Sequence, residues 1–70
     1  MILYWLRDIR NELGKSQEAV AEAAGIGQSG YSMIELGERR PSVETAKSIA
    51  TELNFDWTRF YEGEPTPTNK

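Results

Sequence analysis

At seventy residues the chain is one small domain, near the lower size at which a core holds without metal or disulfide, and with neither cysteine nor histidine it has no disulfide framework, zinc site or imidazole base. The net charge of −3 sits badly with a polyanionic partner, but residues 1–50 are net −1 and the last twenty net −2, so the local field of a binding face matters more than the total. The opening MILYWL is short and leads straight into Arg7-Asp8, and no apolar run approaches the roughly 20 residues of a membrane span. Neither a signal peptide nor a membrane segment is expected, and a cytoplasmic location follows by default. No cofactor is implied.

Ile2, Leu6, Ile9 and Leu13 recur at spacings of four, three and four, which predicts a first helix over Ile2–Leu13, stopped by Gly14. Arg10 falls on the same side as Ile9 and Leu13, so it is either a snorkelling surface arginine or a partly buried one. Tyr4 and Trp5 read as packing residues. Ser16 is a candidate N-cap for a second helix that begins at Gln17 and puts Val20, Ala21 and Ala24 on one side. Gly25 can end that helix with a positive φ, and Ile26 is the one apolar residue of the turn Gly25-Ile26-Gly27.

A third helix is predicted over Gln28–Leu36. Tyr31 and Ile34 define its buried side, which turns Ser29, Ser32, Met33 and Leu36 the opposite way and leaves Gln28 free at the N-terminus. That outward face is small, polar and uncharged. Solvated helix faces carry Lys and Glu, so their absence argues for a contacting surface, against the plainer reading of a loose cap and one stray exposed methionine. Gly30 inside this helix costs about 1 kcal/mol of helix propensity relative to Ala. Two short helices meeting through a turn of three residues make a helix-turn-helix.

Gly37 ends the third helix, and Glu38-Arg39-Arg40-Pro41 forms a charged loop. Ser42 is expected to cap a fourth helix over Val43–Leu53, with Val43, Ala46, Ile49, Ala50 and Leu53 inward and Asn54 in the αL conformation at its end. Asp56 is expected to cap a short fifth helix through Trp57, Phe60 and Tyr61. Trp57 and Phe60 read as core closure, and Phe55 and Tyr61 as candidates for a subunit interface. The tail from 64 to 70 is polar with two prolines and should be disordered.

Ser16-Gln17-Glu18, Val20-Ala21, Gly25-Ile26, Ser32, Ile34-Glu35, Gly37, Arg39 and Pro41-Ser42 together resemble the Cro and phage-repressor (XRE) class of helix-turn-helix DNA-binding domains. The resemblance covers about Leu6 to Gly63. It implies an all-α fold, a compact bundle of five short helices of lambda-repressor type over residues 1–63, with the helix-turn-helix formed by the second and third helices. Three positions depart from the pattern. Gly27 stands where a Ser or Thr cap is usual, Gly30 lies inside the third helix, and Tyr31 fills a core position usually held by Val or Ile.

The resemblance also implies roles. Gln17, at a helix start that favours anions, would hold a DNA phosphate; Arg39 and Arg40 could meet phosphate or form a solvated turn; Arg10 would pair with Glu35. By residue chemistry, Gln28, Ser29, Ser32 and Met33 suit base contacts: Gln bonds adenine through N6 and N7, Ser bonds most base edges, and Met lies against a thymine methyl. The leading expectation is a sequence-specific DNA-binding regulator, a repressor or switch protein acting as a homodimer on a palindromic operator in double-stranded DNA. The alternative is a protein-interaction module of the same fold that does not bind DNA, such as a repressor inhibitor or adaptor, favoured by the acidic balance and Glu38. An enzyme is not expected, because Asp8 and Glu12 lie on a helix surface with no cleft near them.

Overall fold

Three of the helices described start where a short polar side chain takes over an orphaned backbone N–H. Ser16 Oγ accepts from the Ala19 amide (3.0 Å), Ser42 Oγ from the Thr45 amide (3.1 Å) and Asp56 Oδ1 from the Thr58 amide (3.0 Å). The computed structural model describes residues 2–62. Its helices are α1 (Tyr4–Glu12), α2 (Gln17–Ala24), α3 (Gln28–Glu35), α4 (Val43–Leu53) and a 3-10 helix (Trp57–Tyr61). The described residues contain no strand, and none of their helices is long and apolar enough to cross a membrane.

α2 lies against both α3 and α4, and the 3-10 helix closes on α4. The fully buried side chains Leu6, Val20, Tyr31, Ile49 and Leu53 come from all four α-helices, and burying each of the aliphatic ones is worth about 1.5–3 kcal/mol. An aromatic cluster seals the far end. Trp5 meets Phe55 edge-on at 5.2 Å and Phe60 at 5.4 Å, and Phe55 lies 5.6 Å from Phe60. α1 is tied to the end of α3 by a backbone hydrogen bond from the Leu3 amide to the Glu35 carbonyl (2.8 Å), and the Lys15–Glu52 ion pair (2.6 Å) links the turn after α1 to α4.

The all-helical architecture agrees with expectation, but there are four α-helices rather than five. The Trp57–Tyr61 segment closes three residues on: the Arg59 amide donates to the Asp56 carbonyl (3.0 Å) and the Glu62 amide to the Arg59 carbonyl (3.3 Å). Five residues capped by an Asp that bonds two positions ahead tighten into a 3-10 turn. Leu13 and Val43, expected to face inward, are exposed. Leu13 is the cap residue beyond the last turn of α1, and Val43 is the first residue of α4, ahead of the turn that enters the core. Tyr4 is exposed as well, with the Arg7 guanidinium over its ring at 5.1 Å, and Leu3 packs against the core from the start of α1. The tail from 64 to 70 lies outside the described residues.

Candidate nucleic-acid interface

The unit that could meet a nucleic acid is α2, its turn and α3. Gly25 adopts φ 74°, a conformation open to glycine at little cost, and the Ile26 amide bonds back to the Ala21 carbonyl (3.0 Å). The chain therefore leaves α2 abruptly, with Ile26 packed against the core and Ala21 buried. Gly27 then opens α3 with extended backbone and no capping side chain. The first-turn amides of α3 consequently lack the side-chain acceptor that Ser16 gives α2.

The inner side of α3 ends on a buried carboxylate. Glu35 is 3% exposed, the one charged residue in the core of the described chain. Its Oε2 accepts from Arg10 Nε (2.6 Å) and from the Tyr31 hydroxyl (2.8 Å); its Oε1 accepts from Gln17 Nε2 (2.9 Å) and Arg10 Nη2 (3.3 Å). Arg10 Nη1 also donates to the Lys15 carbonyl (2.9 Å). Burial alone would push the Glu35 carboxyl up, but the bonds from Arg10, Gln17 and Tyr31 outweigh it and hold the group below the usual glutamate range. The bond to Glu35 raises Arg10 above the ordinary arginine value. Burial, reinforced by the bond to Glu35, pushes the Tyr31 phenol up. Three helices thus converge on one ionised and fully bonded group.

The outer side of α3 has a different character. Gln28, Ser29 and Met33 are exposed and Ser32 is half-buried. Met33 is 40% and the cap residue Leu36 42% exposed. Glu35 is the one charged side chain in α3 and faces inward, so the outward face carries no charge.

Cations are supplied beside the helix instead. Arg39 and Arg40 stand in the loop after Gly37, which holds φ 76° to turn the chain out of α3. An open groove of about 640 Å³ between α3, this loop and the start of α4 is lined by Gly27, Ser29, Gly30, Arg39, Arg40 and Ser42 among others. Gly30 leaves space on its wall: a Cβ built there would meet Arg39 Nη1 at 3.7 Å, an ordinary contact distance. Other cations are engaged elsewhere, Arg10 and Lys15 in ion pairs, and Arg7, Lys47 and Arg59 over the rings of Tyr4, Trp57 and Trp5.

The sequence-selected residues therefore separate into groups. Gln28, Ser29, Ser32 and Met33 share the outward face of α3, Arg39 and Arg40 border it, and Arg10, Gln17 and Glu35 join beneath it. Phe55 and Tyr61 lie apart and are half-buried within their own chain. Phe55 is stacked in the aromatic cluster, and the Tyr61 hydroxyl donates to the Pro41 carbonyl (2.9 Å). Sequence reasoning missed the hydroxyl of Tyr31, although a tyrosine four residues before a glutamate on one helix side is within reach of it. The bond from Gln17 to Glu35 spans eighteen residues and has no local signal.

A helix-turn-helix family model matches residues 6–60. The chain is 52% identical over 62 residues, 89% of its length, to a Bacillus subtilis protein named "Uncharacterized HTH-type transcriptional regulator YqaF", covering 82% of that protein. It is 36% identical over 55 residues, 79% of its length, to the "HTH-type transcriptional regulator SutR" of Escherichia coli, and 38% identical over 45 residues, 64% of its length, to the "Cryptic phage CTXphi transcriptional repressor RstR" of Vibrio cholerae. It spans 31% and 40% of the lengths of these last two. With two helices joined through Gly25 and a match that runs through both, the chain belongs to the helix-turn-helix family of the Cro and phage-repressor (XRE) type.

Proposed function

We infer that this protein is a sequence-specific DNA-binding transcriptional regulator that lays α3 in the major groove while α2 crosses the backbone. The observation that carries this reading is the outward face of α3, where Gln28, Ser29, Ser32 and Met33 stand together without a charge on a helix whose inner face is locked. Such a face suits base edges, which are read by hydrogen bonds and apolar contact rather than by net charge. Phosphate contacts fall to Arg39, Arg40 and the start of α2. Gln17 already gives one N–H of its amide to Glu35, so a phosphate there would take the second N–H or the first backbone amides of α2. Repression is the favoured direction, in line with the name of the Vibrio cholerae relative.

Size argues for pairing on DNA. A single module of this kind buries about 600–1,000 Å², so useful specificity calls for a symmetric homodimer reading a palindromic operator with half-sites about 10 bp apart. Phe55 and Tyr61 would contribute the surface their own chain leaves uncovered. The competing reading, a protein-interaction module of the same fold, draws on the net charge of −3 and on the exposed Met33 and Leu36.

The test is a titration of wild type, Gln17→Ala, Gln28→Ala and Ser32→Ala against a site selected from random DNA and a scrambled control. Loss of Gln17 should weaken binding to both DNAs by a similar factor, since phosphate carries no base identity. Loss of Gln28 or Ser32 should cost about 1–3 kcal/mol on the selected site and relax preference at one base pair. No preference of the wild type between the two DNAs at moderate salt would select the interaction module.

A further inference from the structure

A second groove, of about 540 Å³, opens behind the arginine loop, between the start of α1, the loop after Gly37 and the 3-10 helix. Its floor is apolar, with Ile34 and Phe60 buried and Leu3 and Trp5 half-buried. Arg39, Arg40 and Arg59 stand round it, three of the seven lysines and arginines among the described residues, together with the carboxylates of Glu38 and Glu62. The lining is therefore net positive in a chain whose net charge is −3. Its walls are tied in place. The Leu3 amide donates to the Glu35 carbonyl (2.8 Å), the Tyr61 hydroxyl donates to the Pro41 carbonyl (2.9 Å), and the Arg59 guanidinium lies over the Trp5 ring at 4.6 Å. A pre-formed apolar cavity of about 300–1,000 Å³ with a few charged groups is the ordinary form of a small-molecule site.

The lining also selects the ligand. A bare inorganic anion would leave the apolar floor in water, and a neutral apolar molecule would leave the guanidinium donors unmatched. A carboxylate on an apolar body satisfies both, because a guanidinium offers paired N–H donors in the geometry a carboxylate accepts. We propose that this groove binds a small organic acid, an aromatic or medium-chain aliphatic carboxylate, and that the bound acid weakens the hold on DNA. The second half rests on the DNA-binding reading above. Arg39, Arg40 and Pro41 line both this groove and the one beside α3. Arg39 takes part in none of the ion pairs and ring contacts that engage Arg7, Arg10, Lys15, Lys47 and Arg59, and its Nη1 lies on the α3 side, beside Gly30. A carboxylate in the second groove draws that exposed side chain away from the face where phosphate would meet it. Acid and DNA then compete for one guanidinium, so each weakens binding of the other by the same factor.

The experiment titrates phenylbutyrate and octanoate, each beside its neutral amide, into the isotope-labelled full chain and follows the two indole N–H resonances by NMR. Trp5 lines the groove, whereas Trp57 packs on Tyr61 and beneath Lys47 outside it, so the Trp5 signal should move saturably and that of Trp57 far less. Each amide should bind about tenfold more weakly than its acid, equivalent to about 1.4 kcal/mol. Arg59→Gln should weaken the acids by a similar factor and leave affinity for a selected DNA site unchanged, with the spread of the amide resonances checking that the variant folds. At constant ionic strength, saturating acid should lower wild-type affinity for that DNA by about fivefold or more. Absence of a saturable Trp5 shift, or equal binding of acids and amides, overturns the site. Trp5 shifts that follow protein concentration without any acid place a second copy of the chain in the groove and overturn it as well. Acid binding that leaves DNA affinity unchanged overturns the regulation alone. A wild type that prefers no DNA site overturns the DNA-binding reading and with it the regulation, while the acid site, read on the free protein, stands.

Discussion

α3 carries two faces that obey opposite rules. Its inner face ends in Glu35, a buried charge with four hydrogen bonds from three side chains on three helices, whereas its outer face holds the neutral side chains of Gln28, Ser29, Ser32 and Met33. A buried charge is tolerable only when its lone pairs are taken, and removal of one partner strands the rest. The outer face is under no such demand, because water satisfies it. The same eight-residue helix is therefore fixed where it is held and uncommitted where it is exposed. Stability should depend on one face and recognition on the other.

Glu35→Ala breaks this division most severely. It leaves the Arg10 guanidinium, 11% exposed, without its carboxylate, and stability measured by urea unfolding should fall by about 3–5 kcal/mol. Arg10→Ala should fall by a comparable amount, and the double variant by less than the sum of the two. Additive losses would mean that the two side chains are not coupled.

Tyr31→Phe is the next largest, since it deletes one donor to an ionised group and leaves the ring in place: about 1.5–3 kcal/mol. This variant also sharpens the comparison through pH. Burial first and the bond to Glu35 second raise the folded-state value of Tyr31, so its contribution is complete below an unfolded value of about 10 and is lost as pH rises above it. Tyr31→Phe should remove that alkaline component. Glu35 is shifted down, so its contribution is present above the unfolded value of about 4.3 and is lost as pH falls below it. Glu35→Gln should flatten that acid limb.

Smaller effects belong to the outer side. Gly30→Ala should raise stability by up to about 1 kcal/mol through helix propensity, because the added Cβ meets Arg39 Nη1 at an ordinary 3.7 Å. A loss would mean that the groove beside Arg39 tolerates no filling. Met33→Ala and Leu36→Ala should each stay within about 0.5 kcal/mol of wild type in unfolding. A larger loss would place these side chains in the folded-state packing and blur the distinction between the faces.

Much of this arrangement was legible along the chain. The caps Ser16, Ser42 and Asp56, the αL residues Gly25 and Asn54, and the inward Val20, Ala21, Tyr31, Ile34, Ala46, Ile49, Ala50 and Leu53 are set by local geometry and helical period. Where periodicity misled, it did so at helix ends: Leu13 and Val43 fit the repeat yet lie outside the turns that carry it into the core. Phe55 and Tyr61 read as candidates for a subunit interface, and nothing nearby in sequence announces their partners within the chain, Trp5 and the Pro41 carbonyl.

The sequence by itself determined the all-helical fold, the turn at Gly25 and the uncharged outer face of α3, since each depends on residues within a few positions of one another. Only the tertiary structure decided that the fifth segment would be a 3-10 turn and that Gln17 and the Tyr31 hydroxyl would join Arg10 on Glu35. Arg10, Gln17 and Glu35 belong to three different helices, so their hydrogen bonds exist only after packing has removed water from the carboxylate and left these donors to replace it.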